Sequence, residues 1–173
     1  FLFMKLELID SRHIQPLLRI AADKRIAQTS GVPENCTEQD IAEWISRSLQ
    51  VPAPEMHFVL TANDKVLGCC ILKKIDWQNR EAELSYWLGV DFWGKGLGST
   101  AARLMAATAF DILGMKALNS HYLKSGNAPS GRILEKLGFE ADPARQDLPA
   151  EGRFLIQPGD VWTFVKLSRK AFS

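Results

Sequence analysis

The segment Trp93-Gly94-Lys95-Gly96-Leu97-Gly98-Ser99 constrains this chain more than any other, because three alternating glycines join a β-rich run to an Ala-rich run. Glycine lets the backbone turn tightly and lets a ligand come close to the N–H groups. At the start of a helix, those donors and the positive end of the helix dipole make a site for phosphate oxygens. The plainer alternative is a tight strand-to-helix turn that binds nothing.

Spacing narrows the ligand. A nucleoside-triphosphate loop needs GxxxxGK[ST], but Lys95 is followed by Gly96, so the metal-coordinating hydroxyl is missing. Gly96-x-Gly98-x-x-Ala101 formally fits a dinucleotide fingerprint, which should open a parallel βαβ unit and be followed about 20 residues later by an acidic ribose binder. Here the preceding strands read as an antiparallel meander, and Met115 to Leu123 holds no acid.

The rest of the chain supplies the frame. Met4 to Ile9 suits a short strand, and Ile14, Leu17, Leu18 and Ala21 follow helical spacing with Ser11 as an N-cap. Thr37 and Asp40 have capping-box spacing before a helix whose apolar face is Ile41, Trp44, Ile45 and Leu49. Met56 to Ala62 and Val66 to Ile75 are β-rich runs around the turn pair Asn63-Asp64, and a third strand runs from Arg80 to Gly89. The Ala-rich helix spans about 14 residues, with Leu97, Ala101, Leu104, Thr108 and Ile112 on one face and Gly114 closing it. A strand over Lys116 to Leu123, a helix over Asn127 to Leu137, a strand from Phe139, a long loop over 143 to 159 and a strand over Val161 to Leu167 complete the order β-αα-βββ-α-β-α-β-β. That order predicts one α+β domain over 1–173, with a mixed, mostly antiparallel sheet flanked by helices.

Composition excludes several classes. In 173 residues, 21 Lys plus Arg nearly balance 20 Asp plus Glu, so no net field recruits nucleic acid or an anionic membrane. No apolar run approaches a bilayer span. The three cysteines, Cys36, Cys69 and Cys70, leave no closed disulfide framework, and no CxxC or paired His suggests a metal. The expectation is a reduced, cytoplasmic, metal-free protein. Phe1 to Phe3 read as residues ahead of a native start at Met4.

The turn fits the [Q/R]-x-x-G-x-[G/A] spacing, and the stretches around it extend the match: Asn127-x-x-Ser130, Leu137-Gly138-Phe139, and Ala82 to Leu88 before it. Together these resemble the GCN5-related N-acetyltransferase (GNAT) superfamily, and within it the RimJ/RimL branch that acetylates ribosomal-protein N-termini. The first motif position departs from the pattern, since Trp93 stands where the superfamily has Gln or Arg. The resemblance implies that Lys95, Gly96, Leu97, Gly98 and Ser99 hold the pyrophosphate of acetyl-CoA. It also implies that Leu88, Gly89 and Val90 pair with the pantetheine arm and that Asn127 bonds to it. The implied reaction is direct attack of a primary amine in a ternary complex, with a protein N-terminus as the leading acceptor. A polyamine or aminoglycoside acetyltransferase, or a non-catalytic acyl-CoA-binding regulator, stands as the alternative.

A protonated amine must lose a proton before it attacks a thioester. Glu81, Glu83, Ser85 and Trp87 share one strand face, with Ala82, Leu84, Tyr86 and Leu88 on the other. Glu81 reads as a solvated carboxylate. Glu83 reads either as the same or, by the resemblance, as the base. The superfamily's usual acid, a Tyr seven residues after the Asn, is replaced by Leu134, and the branch's substitute is a Ser that falls at Ser130. Ser130 and Asn127 also suit simple roles at a helix start. His121 reads as a packed or surface strand residue, with catalysis as the lesser alternative, while His13 and His57 lack any partner pattern. Trp44 and Trp87 suit either core or an acceptor cleft, and Arg153 with Glu151 falls where the branch often places an acid. Cys69 and Cys70 read as core.

Overall fold

The strand runs assemble into one seven-stranded sheet, in the order β1-β2-β3-β4-β5-β7-β6, within a computed structural model that describes residues 3–124, 127–145 and 160–172. The strands are β1 (Met4–Leu8), β2 (Met56–Ala62), β3 (Lys65–Asp76), β4 (Glu81–Leu88), β5 (Ala117–Leu123), β6 (Glu140–Ala141) and β7 (Trp162–Ser168). All pairings are antiparallel except β4 with β5. Asn63 and Asp64 both take positive φ (52° and 64°), the conformation a two-residue hairpin turn demands.

Helices α1 (Ile14–Ala21), α2 (Lys24–Thr29) and α3 (Glu38–Leu49) cover one sheet face, and α4 (Leu97–Ala107) with α5 (Ala128–Leu137) covers the other. Leu17, Ile26 and Ile41 pack onto Val59, Cys69, Ile71 and Trp87. Ala101, Met105 and Leu134 pack onto Cys70, Leu72 and Leu84. Adjacent Cys69 and Cys70 therefore enter opposite cores, as strand alternation requires.

Several local expectations need correction. The first helical turn is capped by Asp10, not Ser11: the Asp10 side chain accepts from Arg12 N, and Ser11–His13 form a 3-10 turn ahead of α1. The short helix α2 was missed because only Ile26 and Ala27 are buried, too few to show a period. The Ala-rich helix changes its winding after Ala107, where Thr108–Ile112 form a π-helical turn. That extra residue per turn rotates the apolar stripe. Phe110 becomes fully buried, and Ile112, expected inward, is 77% exposed. The strand expected from Phe139 is only the two residues of β6.

The sharpest correction concerns β4. Its face carrying Glu83 and Trp87 is not solvated: Trp87 packs in the core beneath α1 to α3, and Glu83, only 2% exposed, faces Arg145 and His121. Glu81, at the strand start, remains at the surface and pairs with Lys166 (3.1 Å).

Candidate active site

Strands β4 and β5 hold the site because they part company. Their parallel pairing covers only Glu81 to Glu83 against Ala117 to Asn119. Beyond it, the Leu84 carbonyl accepts from the Ser120 hydroxyl (2.9 Å), and the Leu88 carbonyl accepts from the Trp93 indole N–H (2.9 Å). The backbone groups of Leu84 and Leu88, and by the two-residue period those of Tyr86, thus face the gap. An opened sheet leaves an edge able to hydrogen-bond an extended ligand.

The gap leads to the glycine turn. Gly89 precedes a 3-10 turn over Val90–Phe92, and Gly94 and Gly96 then take φ of 72° and 76°. L side chains rarely adopt such values, which is why glycine stands there. No atom lies within 4 Å of where a Cβ would sit at either position, so the turn is open on that side. Helix α4 starts at Leu97 with Gly96 as its N-cap; no side chain caps it, and its first turn holds no acid. The first N–H groups of an eleven-residue helix are therefore left for an anion. Lys95 and Ser99 flank this opening. The uncapped helix start, the open turn and the parted strands fit a pyrophosphate with an extended arm.

At the other end of the gap is a cleft of about 80 Å³ lined by Glu83, Tyr86, His121, Asn127, Ser130 and Trp162 among others. Arg145 Nη2 donates to Glu83 Oε1 (3.2 Å), and Arg145 also bonds the Asn119 carboxamide oxygen. His121 Nδ1 lies 3.3 Å from the same Glu83 oxygen, within ion-pair reach but out of line for a hydrogen bond. Burial pushes the Glu83 carboxyl up, yet His121, Lys74 and Lys73 together hold it at about 2. The His121 ring is fixed by edge contact with Trp162 (centroids 5.2 Å) and by Phe164 (5.9 Å).

Ser130 hydrogen-bonds the Tyr86 hydroxyl, whose ionisation burial disfavours. Asn127 sits at the N-cap position of α5, but its side chain makes no capping bond, which leaves the carboxamide for other partners.

Sequence reasoning thus singled out Glu83, Asn127 and Ser130, which line one cleft, left the role of His121 open, and missed Tyr86 and Arg145. The signal for His121 was parity: Glu83 pairs with Asn119 across the parallel ladder, so His121 is two residues on, on the same face. The expectation that His13 and His57 lack partners is also corrected. His13 Nε2 lies 3.2 Å from Glu7 Oε2, and His57 Nε2 lies 2.5 Å from Glu55 Oε2. Trp44 and Trp87 line a second cavity of about 140 Å³ with His57 and Glu55. Arg153 and Glu151 lie outside the described residues. Among the described residues, no group of three or more His, Cys, Asp or Glu could hold a metal ion, and no helix is long and apolar enough to cross a membrane.

Residues 4–140 match the acetyltransferase (GNAT) domain family. The chain is 31% identical over 124 residues to an uncharacterized N-acetyltransferase, p20, of Bacillus licheniformis, covering 71% of this chain and 67% of that protein. It is 32% identical over 94 residues to the putative ribosomal N-acetyltransferase YdaF of Bacillus subtilis, covering 54% of this chain and about half (51%) of that protein. Among solved structures, spermidine N-acetyltransferase from Vibrio cholerae with CoA and spermine superposes with a TM-score of 0.79 at 17% identity, over 97% of this chain and 96% of the other. The ribosomal L7/L12 α-N-protein acetyltransferase RimL, in complex with coenzyme A, gives 0.77 at 16% identity over 99% and 97%. The open glycine turn and the parted strands therefore have a family: the chain belongs to the GNAT acetyltransferases and is an acetyl-CoA-dependent N-acetyltransferase.

Proposed function

We propose that the acceptor is the N-terminal α-amine of a protein, as in the RimJ/RimL branch. One observation carries this reading. Each described carboxylate facing the acceptor side is already matched by a cation: Glu83 by Arg145 (3.2 Å), and Glu55 by Arg47 (3.4 Å). A polyamine or aminoglycoside brings several positive charges and needs spare carboxylates to receive them. A peptide N-terminus brings one amine of ordinary pKa about 7.7–8.0, well below the ~10.4 of an alkylamine, and so loses its proton more readily. The curated relative YdaF, described as a putative ribosomal N-acetyltransferase, supports the same reading.

Acetyl-CoA supplies an activated acyl group as a thioester. In our reading the backbone of Lys95, Gly96, Leu97, Gly98 and Ser99 holds its pyrophosphate, Leu88, Gly89 and Val90 align its arm, and Asn127 bonds to that arm. A carboxyl held near 2 is a poor proton acceptor at neutral pH, because an efficient base titrates near the working pH. We therefore assign proton acceptance to His121, its ring fixed by Trp162 and Phe164, with Glu83 as the anion that stabilises the imidazolium. Arg145 and Asn119 hold Glu83 in place. The Ser130 hydroxyl, backed by Tyr86, delivers a proton to the departing thiolate. Bound geometry contributes much of the rate by making the attack effectively unimolecular.

The test is a steady-state panel with acetyl-CoA and unmodified N-terminal peptides, spermidine and an aminoglycoside, each read by mass. Acetylated peptides with kcat/KM well above that of spermidine support the assignment. Acetylation of the small amines alone overturns it.

A further inference from the structure

Two buried ring nitrogens line the second cavity without a partner among the described residues: Nδ1 of His57 and Nε1 of Trp87, on residues 4% and 5% exposed. Buried polar groups in native proteins are nearly always bonded, so an orphaned pair on one cavity points to a missing partner. The two residues share a sheet face: His57 is in register with Ile71, Ile71 with Ser85, and Trp87 follows Ser85 by one strand period. Trp44 walls the same space, stacked on His57 (centroids 5.1 Å, 5° between planes) and edge-on to Trp87 (6.4 Å).

The chemistry of the partner follows from the donors. The Glu55 carboxylate only accepts, so His57 Nε2 carries the hydrogen of their 2.5 Å bond. Burial holds the imidazole neutral despite Glu55. His57 Nδ1 is then a lone pair seeking a donor, and Trp87 Nε1–H is a donor seeking an acceptor. An ammonium group, which only donates, satisfies one and leaves the other unmet. Glu55 is moreover paired with Arg47, so the cavity offers no free anion to a cation.

Gly31, Lys73 and Ser85 line both this cavity and the Glu83 cleft, so the two are neighbours. Ser85 is one strand period, about 7 Å, from Glu83. We propose that this cavity is the subsite that reads a side chain at one of the acceptor's first two positions, and that it selects a neutral group that both donates and accepts hydrogen bonds: a hydroxyl or a primary carboxamide. The proposal rests on the α-amine reading of the acceptor.

The test is kcat/KM for a peptide set with Ser, Asn or Ala at position one and, separately, at position two, for the wild-type enzyme and for Trp87→Phe. That substitution keeps an aromatic ring but removes the N–H. The wild type should prefer Ser or Asn to Ala at least tenfold at one of the two positions, and Trp87→Phe should bring that ratio close to one. The Ser and Asn arms distinguish hydroxyl from carboxamide. If the variant does not fold, the wild-type ratios decide alone. Equal rates for Ser, Asn and Ala at both positions overturn the subsite while leaving the α-amine reading intact. A wild type that acetylates no peptide overturns both.

Discussion

At the scale of single residues, the proposed mechanism sets Glu83 beside the base rather than as the base itself. His121→Gln should lower kcat by about 10²–10³-fold in steady-state assays, within the range for losing one proton-transfer group, and Glu83→Gln, which removes only the neighbouring anion, should lower it less. The two losses should be far from additive in the double variant, because the residues act as a unit. Glu83, held at about 2, is ionised throughout the accessible pH range. Ser130→Ala should reduce kcat by about tenfold with little change in acetyl-CoA KM, as expected for a group acting on the leaving thiolate. Glu83, Ser130 and Asn127 were legible as residue types at fixed offsets from the glycine turn. Tyr86 and Arg145 were not, because their partners lie 44 and 62 positions away in sequence (Ser130 minus Tyr86; Arg145 minus Glu83) and no local pattern encodes such a contact.

At the scale of elements, the turn before α4 is the functional unit. A Cβ at Gly96 meets no neighbour but must adopt φ of 76°. The penalty is backbone strain of about 1–2 kcal/mol. Gly96→Ala should therefore raise the acetyl-CoA KM or Kd several-fold and lower Tm by a few degrees, measured by titration and thermal melt. Trp93→Phe removes the indole bond to the Leu88 carbonyl, worth about 1 kcal/mol, and should loosen the strand end that faces the gap. Strand alternation, the Thr37–Asp40 capping box and the glycine spacing made most elements readable beforehand. The π turn over Thr108–Ile112 was not readable. A 3.6-residue period continues smoothly through it in sequence, and only burial of Phe110 reveals the shift. The β4 face was misread for a related reason: Glu83 looks solvated when the residue that covers it, Arg145, comes 62 positions later.

At the scale of the molecule, the site lies at the one parallel strand pair of an otherwise antiparallel sheet, where the pairing of β4 with β5 ends at Glu83 and Asn119. It also concentrates charge in the interior, and this sets a pH dependence. The Glu83 carboxyl falls from an ordinary 4.5 to about 2 on folding, a depressed value, so its stabilisation is present above the unfolded value. About 3 kcal/mol is then lost as pH drops from 4.5 towards 2. Thermal melts of Glu83→Gln should be less steeply pH-dependent over that window than those of the wild type. Overall topology was legible because hairpin turns and the strand–turn–helix order leave few arrangements. The acceptor cleft was not, since its walls come from α2, α3, α5 and five strands, β2, β3, β4, β5 and β7.

The most direct test of α-amine acetylation is a competition in one vessel. A peptide carrying both a free N-terminus and an internal Lys is mixed with equimolar spermidine and limiting acetyl-CoA, and the acetylated positions are mapped by fragmentation. The account predicts that the acetyl group accumulates on the peptide α-amine. Acetyl found mainly on spermidine or on the Lys side chain would contradict it.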